Sequence, residues 1–182
     1  RALFAVADTV KPGSRDAIAQ LHAMGIRTLM LSGDNAAAAQ AIARDVGLTE
    51  VRGNQLPEDK RQAVELLAAQ GVVGMVGDGI NDAPALARAD IGFAMGALGT
   101  DTAIETADVA LMDDDLGKIA QFVRLSRSTH AVLVQNIVLA LGIKLVFLAL
   151  AVAGMATMWM AVFADVGASL LVVANGLRLL RK

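Results

Sequence analysis

Between residues 131 and 177 the chain runs for 47 residues with only two charged side chains, Lys144 and Asp165. Such a stretch is too apolar for a water-facing surface and is expected to lie in lipid. It divides at Gly154-Met155 into Ala131 to Ala153 and Ala156 to Leu177. Each half is just over twenty residues, enough to cross ~30 Å of hydrocarbon, so an α-helical transmembrane hairpin is the expectation. Arg124 and Arg127 precede the first crossing, and Arg178, Arg181 and Lys182 follow the second. By the positive-inside rule both ends then face the cytoplasm.

The remainder is built differently. Residues 1–130 carry 12 Lys plus Arg and 17 Asp plus Glu, a net charge of −5. That balance excludes a basic nucleic-acid module, and the abundance of Ala, Val, Leu and Ile excludes a disordered chain. With no cysteine, neither a disulfide framework nor a thiolate metal site can form within these residues. Short apolar runs at Leu3 to Ala7, Thr28 to Leu31, Val72 to Val76, Ile91 to Ala94 and Val109 to Met112 have the length of buried parallel strands. Between them Ser14 to Met24, Ala36 to Val46, Glu58 to Ala69 and Asp82 to Ala87 read as helices, several stopped by Gly25, Gly47 or Gly71. The alternation predicts an α/β fold, a parallel sheet with helices on both faces. A soluble domain over 1–114, a stalk helix over 115–130 and the hairpin over 131–182 complete the expected organisation. The chain opens on Arg1 and has no signal or transit segment, so it is expected to be a piece of a longer polypeptide.

In an open parallel sheet, ligands bind beyond the carboxyl ends of the strands. After Thr28 to Leu31 comes Ser32-Gly33-Asp34-Asn35, a hydroxyl and a glycine amide at a helix N-terminus, an arrangement that suits a phosphoryl oxygen. Taken alone, this tetrapeptide is better read as a turn with a helix cap, for which Asp34 is the candidate. After Val72 to Val76 comes Gly77-Asp78-Gly79-Ile80-Asn81-Asp82, hard oxygen donors in a tight loop of the kind that holds Mg²⁺ with substrate phosphates. A capped turn would explain only one of the two aspartates. Lys60 lies in a first helical turn, where the macrodipole disfavours a cation. Either it faces a phosphate, or it is a solvated lysine flanked by Glu58 and Asp59. His22 and His130 lack partners at metal-ligand spacing and read as surface or boundary residues.

Together, Ser32-Gly33-Asp34, Lys60 and the string VGDGINDAPAL from Val76 to Leu86 closely resemble three motifs of the haloacid dehalogenase superfamily, in the version carried by P-type cation-transporting ATPases. The resemblance implies a Rossmann-type haloacid dehalogenase-like fold. It implies that Ser32 and Gly33 hold the phosphoryl group, with Asp34 beside them, that Lys60 neutralises its charge, that Asp78 and Asp82 bind Mg²⁺, and that Asn81 and Asp82 position phosphate and metal. Asp8 to Pro12 resembles the hinge to a nucleotide-binding domain, so ATP is expected to bind outside this chain. The family's nucleophile stands in an Asp-Lys-Thr-Gly-Thr motif that does not occur here; these residues alone are expected to form no phosphoenzyme.

An ionisable residue in a membrane span is by default a functional candidate. Lys144 and Asp165 each lie ten to eleven residues from the turn, ~16 Å along a helix and near the bilayer midplane. A structural ion pair is the weaker explanation, because a neutral hydrogen-bonded pair would join two helices at lower desolvation cost. The strings from Gln135 to Lys144 and from Ala164 to Leu180 resemble the branch that exports zinc, cadmium and lead, which implies Asp165 as ligand to the transported ion and Lys144 as its counter-ion. The copper branch, the alternative, carries a Tyr-Asn pair and a Met-x-x-Ser pattern there. Met155, Met158 and Met160 cluster near the turn and read as lipid-facing or packing residues. The implied partners are the transported divalent metal, the bilayer and the rest of the same polypeptide, with no nucleic acid. The implied location is a plasma membrane, such as a bacterial inner membrane. A membrane-tethered phosphatase of the same superfamily, and a non-catalytic fragment that binds a membrane protein, are the alternative functions.

Overall fold

The computed structural model describes residues 10–77, 80–95, 105–113 and 115–181. The strand expected at Leu3 to Ala7 lies outside them. The chain divides into two compact units, residues 1–120 and 121–182.

In the first unit, helix α1 (Ser14–Ala23) buries Ala17 and Leu21, four residues apart on one face. After β1 (Leu29–Leu31), α2 (Ala36–Val46) buries Ala39, Ala43 and Val46. Its cap is Asn35, whose Oδ1 accepts from the Ala38 N–H at 2.9 Å, so the cap falls one residue later than the Asp34 expected. It ends on Gly47 at φ 82°, a left-handed geometry that glycine adopts without strain. Gly71 was expected to stop α3 (Pro57–Ala68) in the same way, but it is not among the left-handed glycines. Pro57 opens α3 at the one turn that tolerates it, and the Asp59 carboxylate accepts from the Leu56 N–H at 2.9 Å.

Among the described residues the strands form two parallel sheets. β1 pairs with β2 (Glu50–Arg52), with Leu29 opposite Glu50 and Leu31 opposite Arg52. β3 (Gly74–Gly77), β4 (Ile91–Met95) and β5 (Val109–Leu111) lie in that order, with Val76 opposite Phe93 and Ala94 opposite Ala110. The expected α/β character holds, with β2 as an unexpected strand. Glu50 and Arg52 bracket a single apolar residue, which gives it no apolar run to betray it. Two carboxylates finish the sheet starts. Asp90 accepts from the Val73 N–H and Asp108 from the Gly92 N–H, both at 2.8 Å.

The short helix α4 (Ala83–Leu86) seats Leu86 against Ala94, Met75 and Ala107. Leu86 is 1% exposed, and truncating such a leucine leaves a cavity. Leu86→Ala is therefore expected to destabilise this unit by about 2–5 kcal/mol, measured as a shift in its urea unfolding midpoint at unchanged slope.

The second unit holds the long apolar helices. Helix α5 (Gly117–Val152) begins in the first unit, where Asp115 Oδ1 accepts from the Gly117 N–H at 2.8 Å. α6 (Met158–Leu177) is followed by a 3₁₀ turn over Arg178–Arg181. Both have the length and composition to cross a membrane. The turn between them centres where the sequence placed it. Gly154 takes φ 72°, and the Thr157 hydroxyl accepts from the Met160 N–H at 3.3 Å to cap α6. Met155 and Met158 are exposed.

Candidate functional site

Two strand ends carry the candidate phosphate chemistry. At the end of β1, the backbone is pinned to the segment that leads into α3. Ser32 N–H donates to the Arg52 carbonyl, and Gln55 N–H to the Ser32 carbonyl, both at 2.9 Å. The Ser32 hydroxyl donates to Asp34 Oδ2 at 2.9 Å and accepts from the Asp34 N–H at 3.1 Å. Ser32-Gly33-Asp34 is thus a compact polar turn, exposed at Gly33 and Asp34, just before the Asn35 cap of α2. Gly53 allows its neighbour to approach. A Cβ there would lie 2.6 Å from the Ala36 Cα and 2.8 Å from its nitrogen, so only glycine lets the β2 end pass the α2 N-terminus.

At the end of β3, Gly77 leads through residues 78 and 79 to a 3₁₀ turn, Ile80–Asp82. Asp78, the expected principal Mg²⁺ ligand, lies outside the described residues. Asn81 is exposed, and Asp82 is buried. A Cβ on Gly77 would stand 2.6 Å from the Asp82 Cβ and 3.0 Å from its Oδ2, so the glycine makes room for that carboxylate.

Lys60 reaches the same place from α3. Its Nζ donates to Asp82 Oδ1 at 2.8 Å, with 15% of the Lys60 side chain and 12% of the Asp82 side chain left exposed. The neighbouring acids are engaged elsewhere. Glu58 pairs with Arg61, Asp59 caps the helix, and Arg61 also reaches Glu65. The hydrogen bond from Arg61 holds the exposed Glu58 carboxyl below the usual carboxylate range, and the same bond raises the Arg61 guanidinium. A solvated lysine balanced by Glu58 and Asp59 is therefore not what the structure shows. Lys60 stands at an unfavourable end of the helix dipole because it serves a carboxylate on the next crossover.

In the second unit, Lys144 Nζ stands 3.9 Å from Asp165 Oδ1, with both side chains exposed at 67% and 73%. At that separation they are charge partners without a hydrogen bond. The Ser169 hydroxyl donates to the Asp165 carbonyl at 2.9 Å. Asn175 Nδ2 donates to Asn136 Oδ1 at 2.9 Å and to Gln135 Oε1 at 3.3 Å. Asn175 was not among the residues expected to act, because an uncharged amide in an apolar helix carries no signal of its partner 39 or 40 residues away. His22 is taken by the Thr28 hydroxyl at 2.7 Å. Among the described residues no three His, Cys, Asp or Glu side chains cluster as a metal site.

Residues 1–90 match the family model described as haloacid dehalogenase-like hydrolase. Over 181 residues, 98% of this chain, it is 54% identical to a probable cadmium-transporting ATPase of Listeria monocytogenes, and over 180 residues it is 49% identical to a zinc/cadmium/lead-transporting P-type ATPase of Escherichia coli. The chain spans about a quarter of the length of these curated relatives, 26% and 24%. A solved zinc-transporting PIB-type ATPase in its E2.Pi state superposes with a TM-score of 0.90 at 49% identity, covering 96% of this chain and 28% of that one. A parallel haloacid dehalogenase-like domain, two long apolar helices and this identity point the same way: along nearly its whole length the chain is similar to about a quarter of the length of the heavy-metal-transporting P-type ATPases.

Proposed function

We propose that these residues supply the phosphate-handling half of the catalytic site, and one helical hairpin of the ion path, in an ATP-driven pump that exports Zn²⁺, Cd²⁺ or Pb²⁺. The observation that carries this reading is the nearly buried Lys60–Asp82 pair at the carboxyl end of β3. A sheltered charge pair at that edge is a preorganised electrostatic device, and phosphoryl transfer draws most of its catalysis from such devices.

Ser32 Oγ and the Gly33 amide would receive phosphoryl oxygens, and Asp34 would orient the hydroxyl through its 2.9 Å bond. Lys60 would offset charge on the transferring group. Mg²⁺ fits the donor chemistry: Gly77 leaves room around the Asp82 carboxylate, a hard oxygen donor, while Asp78 would add a second and phosphate oxygens would supply others. Bound there, Mg²⁺ would add Lewis-acid stabilisation of the phosphoryl oxygens. Asn81 would position phosphate from the same turn. ATP would bind on a domain outside these residues. Asp165 would be an oxygen ligand of the transported ion, and Lys144 the counter-ion that occupies it when the ion has left. The remainder of the polypeptide and the bilayer are the implied partners, with the soluble unit and both hairpin ends on the cytoplasmic side of a plasma membrane.

Incubation with radiolabelled ATP tests the reading. The 182-residue chain is expected to form no acid-stable phosphoprotein, because it lacks the Asp-Lys-Thr-Gly-Thr nucleophile motif. The full-length polypeptide is expected to form it. Phosphoenzyme on this chain alone, or its absence from the full-length protein, overturns the reading, and hydrolysis of simple phosphate esters by the chain alone favours a tethered phosphatase.

A further inference from the structure

The second unit contains one polar cluster that the phosphate and ion sites leave unused. Asn175 commits its whole side-chain amide. Its Nδ2 donates across to Asn136 and Gln135, while its Oδ1 accepts from an Arg178 guanidinium nitrogen at 2.9 Å. Alongside runs a groove of about 650 Å³, walled by Val134, Val138, Leu139, Leu171 and Ala174. Apolar side chains gain no hydrophobic free energy from facing one another instead of lipid tails, and across such a gap they also forgo the close van der Waals packing that could hold two helices together. An interhelical amide can, because its alternative in hydrocarbon is an unsatisfied polar group.

The positions of the polar contacts along the helices are informative. Lys144 is 9 residues from Gln135 and 10 from Gly154, while Asp165 is 10 from Asn175 and 10 from Met155. The ion pair therefore stands midway between two tie points, each ~15 Å away at 1.5 Å per residue. One is the covalent turn at Gly154; the other is the Asn175 amide at the open end. We infer that Asn175 is a positioning residue: it clasps the open end of the hairpin to Gln135 and Asn136 and so keeps Lys144 within reach of Asp165. Two stiff helices hinged only at the turn open in proportion to distance from it. Loss of the clasp then separates Lys144 and Asp165 by half of whatever opens at Asn175. The inference stands on the hairpin alone; the proposed ion chemistry gives it consequence, but its test needs no transport.

These 182 residues contain no cysteine, so pairs can be introduced among them for nitroxide labelling once any cysteine elsewhere in the polypeptide is replaced. In the full-length polypeptide in lipid bilayers, His130→Cys with Leu180→Cys reports the open end, and Leu141→Cys with Val166→Cys the level of the ion pair. In Asn175→Leu the open-end distance is expected to lengthen by ~6 Å and the mid-level distance by ~3 Å, in the ratio that rigid levers require, with helicity by circular dichroism unchanged. Asn175→Gln, which retains the amide, is expected to restore both distances. If Asn175→Leu fails to fold, Gln135→Leu with Asn136→Leu removes the acceptors from the opposite helix and is expected to give the same two displacements. Distances that stay at their original values in the folded variant overturn the inference. So does an open end that moves while the mid-level pair does not, or a general loss of helicity in both variants, which marks a stabilising contact only.

Discussion

In a full-length protein that works as proposed, Asp165→Ala is expected to abolish zinc-stimulated ATP hydrolysis while leaving phosphorylation from inorganic phosphate near its native level. On the proposed reading the second reaction needs only the phosphate site of the first unit; the first needs an ion bound between the apolar helices. The geometry argues for a releasable partnership. A tightly held pair has the form of Lys60 with Asp82, hydrogen-bonded at 2.8 Å and almost buried, whereas Lys144 stands 3.9 Å from Asp165 with both side chains largely uncovered in the hairpin. A carboxylate held at that distance keeps its oxygens open to a cation, yet has a charge beside it when the cation has gone. Lys144→Ala is accordingly expected to slow dephosphorylation and the return step more than ion binding. If the pair merely fastened two helices, both single variants would lose expression, and Lys144→Met with Asp165→Leu would restore a stable, zinc-stimulated enzyme. Zinc-stimulated ATPase activity in that double variant would remove Asp165 from the ion site.

The parts of this molecule legible in its sequence are those whose physics is local. The long apolar helices announce themselves because 47 residues with two charges are too apolar for a water-facing surface, and the turn at Gly154 because glycine takes φ 72° without strain. β4 and β5 follow from short apolar runs, and β3 from one that starts two residues later than expected, since Val73 already spends its N–H on Asp90. What the sequence hid is pairwise. Glu50-Val51-Arg52 is a strand because β1 offers it a ladder, not because of its own composition. Asn35, not Asp34, caps α2, since Asp34 is drawn to the Ser32 hydroxyl. The unusual position of Lys60 was visible from its own helix, but its partner, 22 residues on, was visible only after folding. Asn175 left no trace at all, because an amide has neither the charge nor the periodicity that sequence patterns register.

Lys60 carries the second large effect. In the full-length protein, on the proposed reading, Lys60→Met is expected to slow phosphorylation from ATP by roughly 10²–10³, the usual cost of one preorganised charge at a developing anion. The same substitution strands Asp82. Removing one partner of a fully buried ion pair costs about 3–5 kcal/mol, and less here because 15% and 12% of the two side chains remain in water. Stability and chemistry are therefore entangled in the single variant, and a charge reversal separates them. Lys60→Asp with Asp82→Lys returns opposite charges to the same 2.8 Å contact, so thermal stability is expected to recover toward the native value. The cation then springs from the 3₁₀ turn beside Gly77 instead of from α3, and a carboxylate faces the phosphoryl group from the side where the ammonium stood. Phosphorylation measured by rapid quench is expected to remain depressed at least 10²-fold. Recovery of both properties together would mean that Lys60 only neutralises Asp82 and that charge compensation at the phosphoryl group comes from elsewhere.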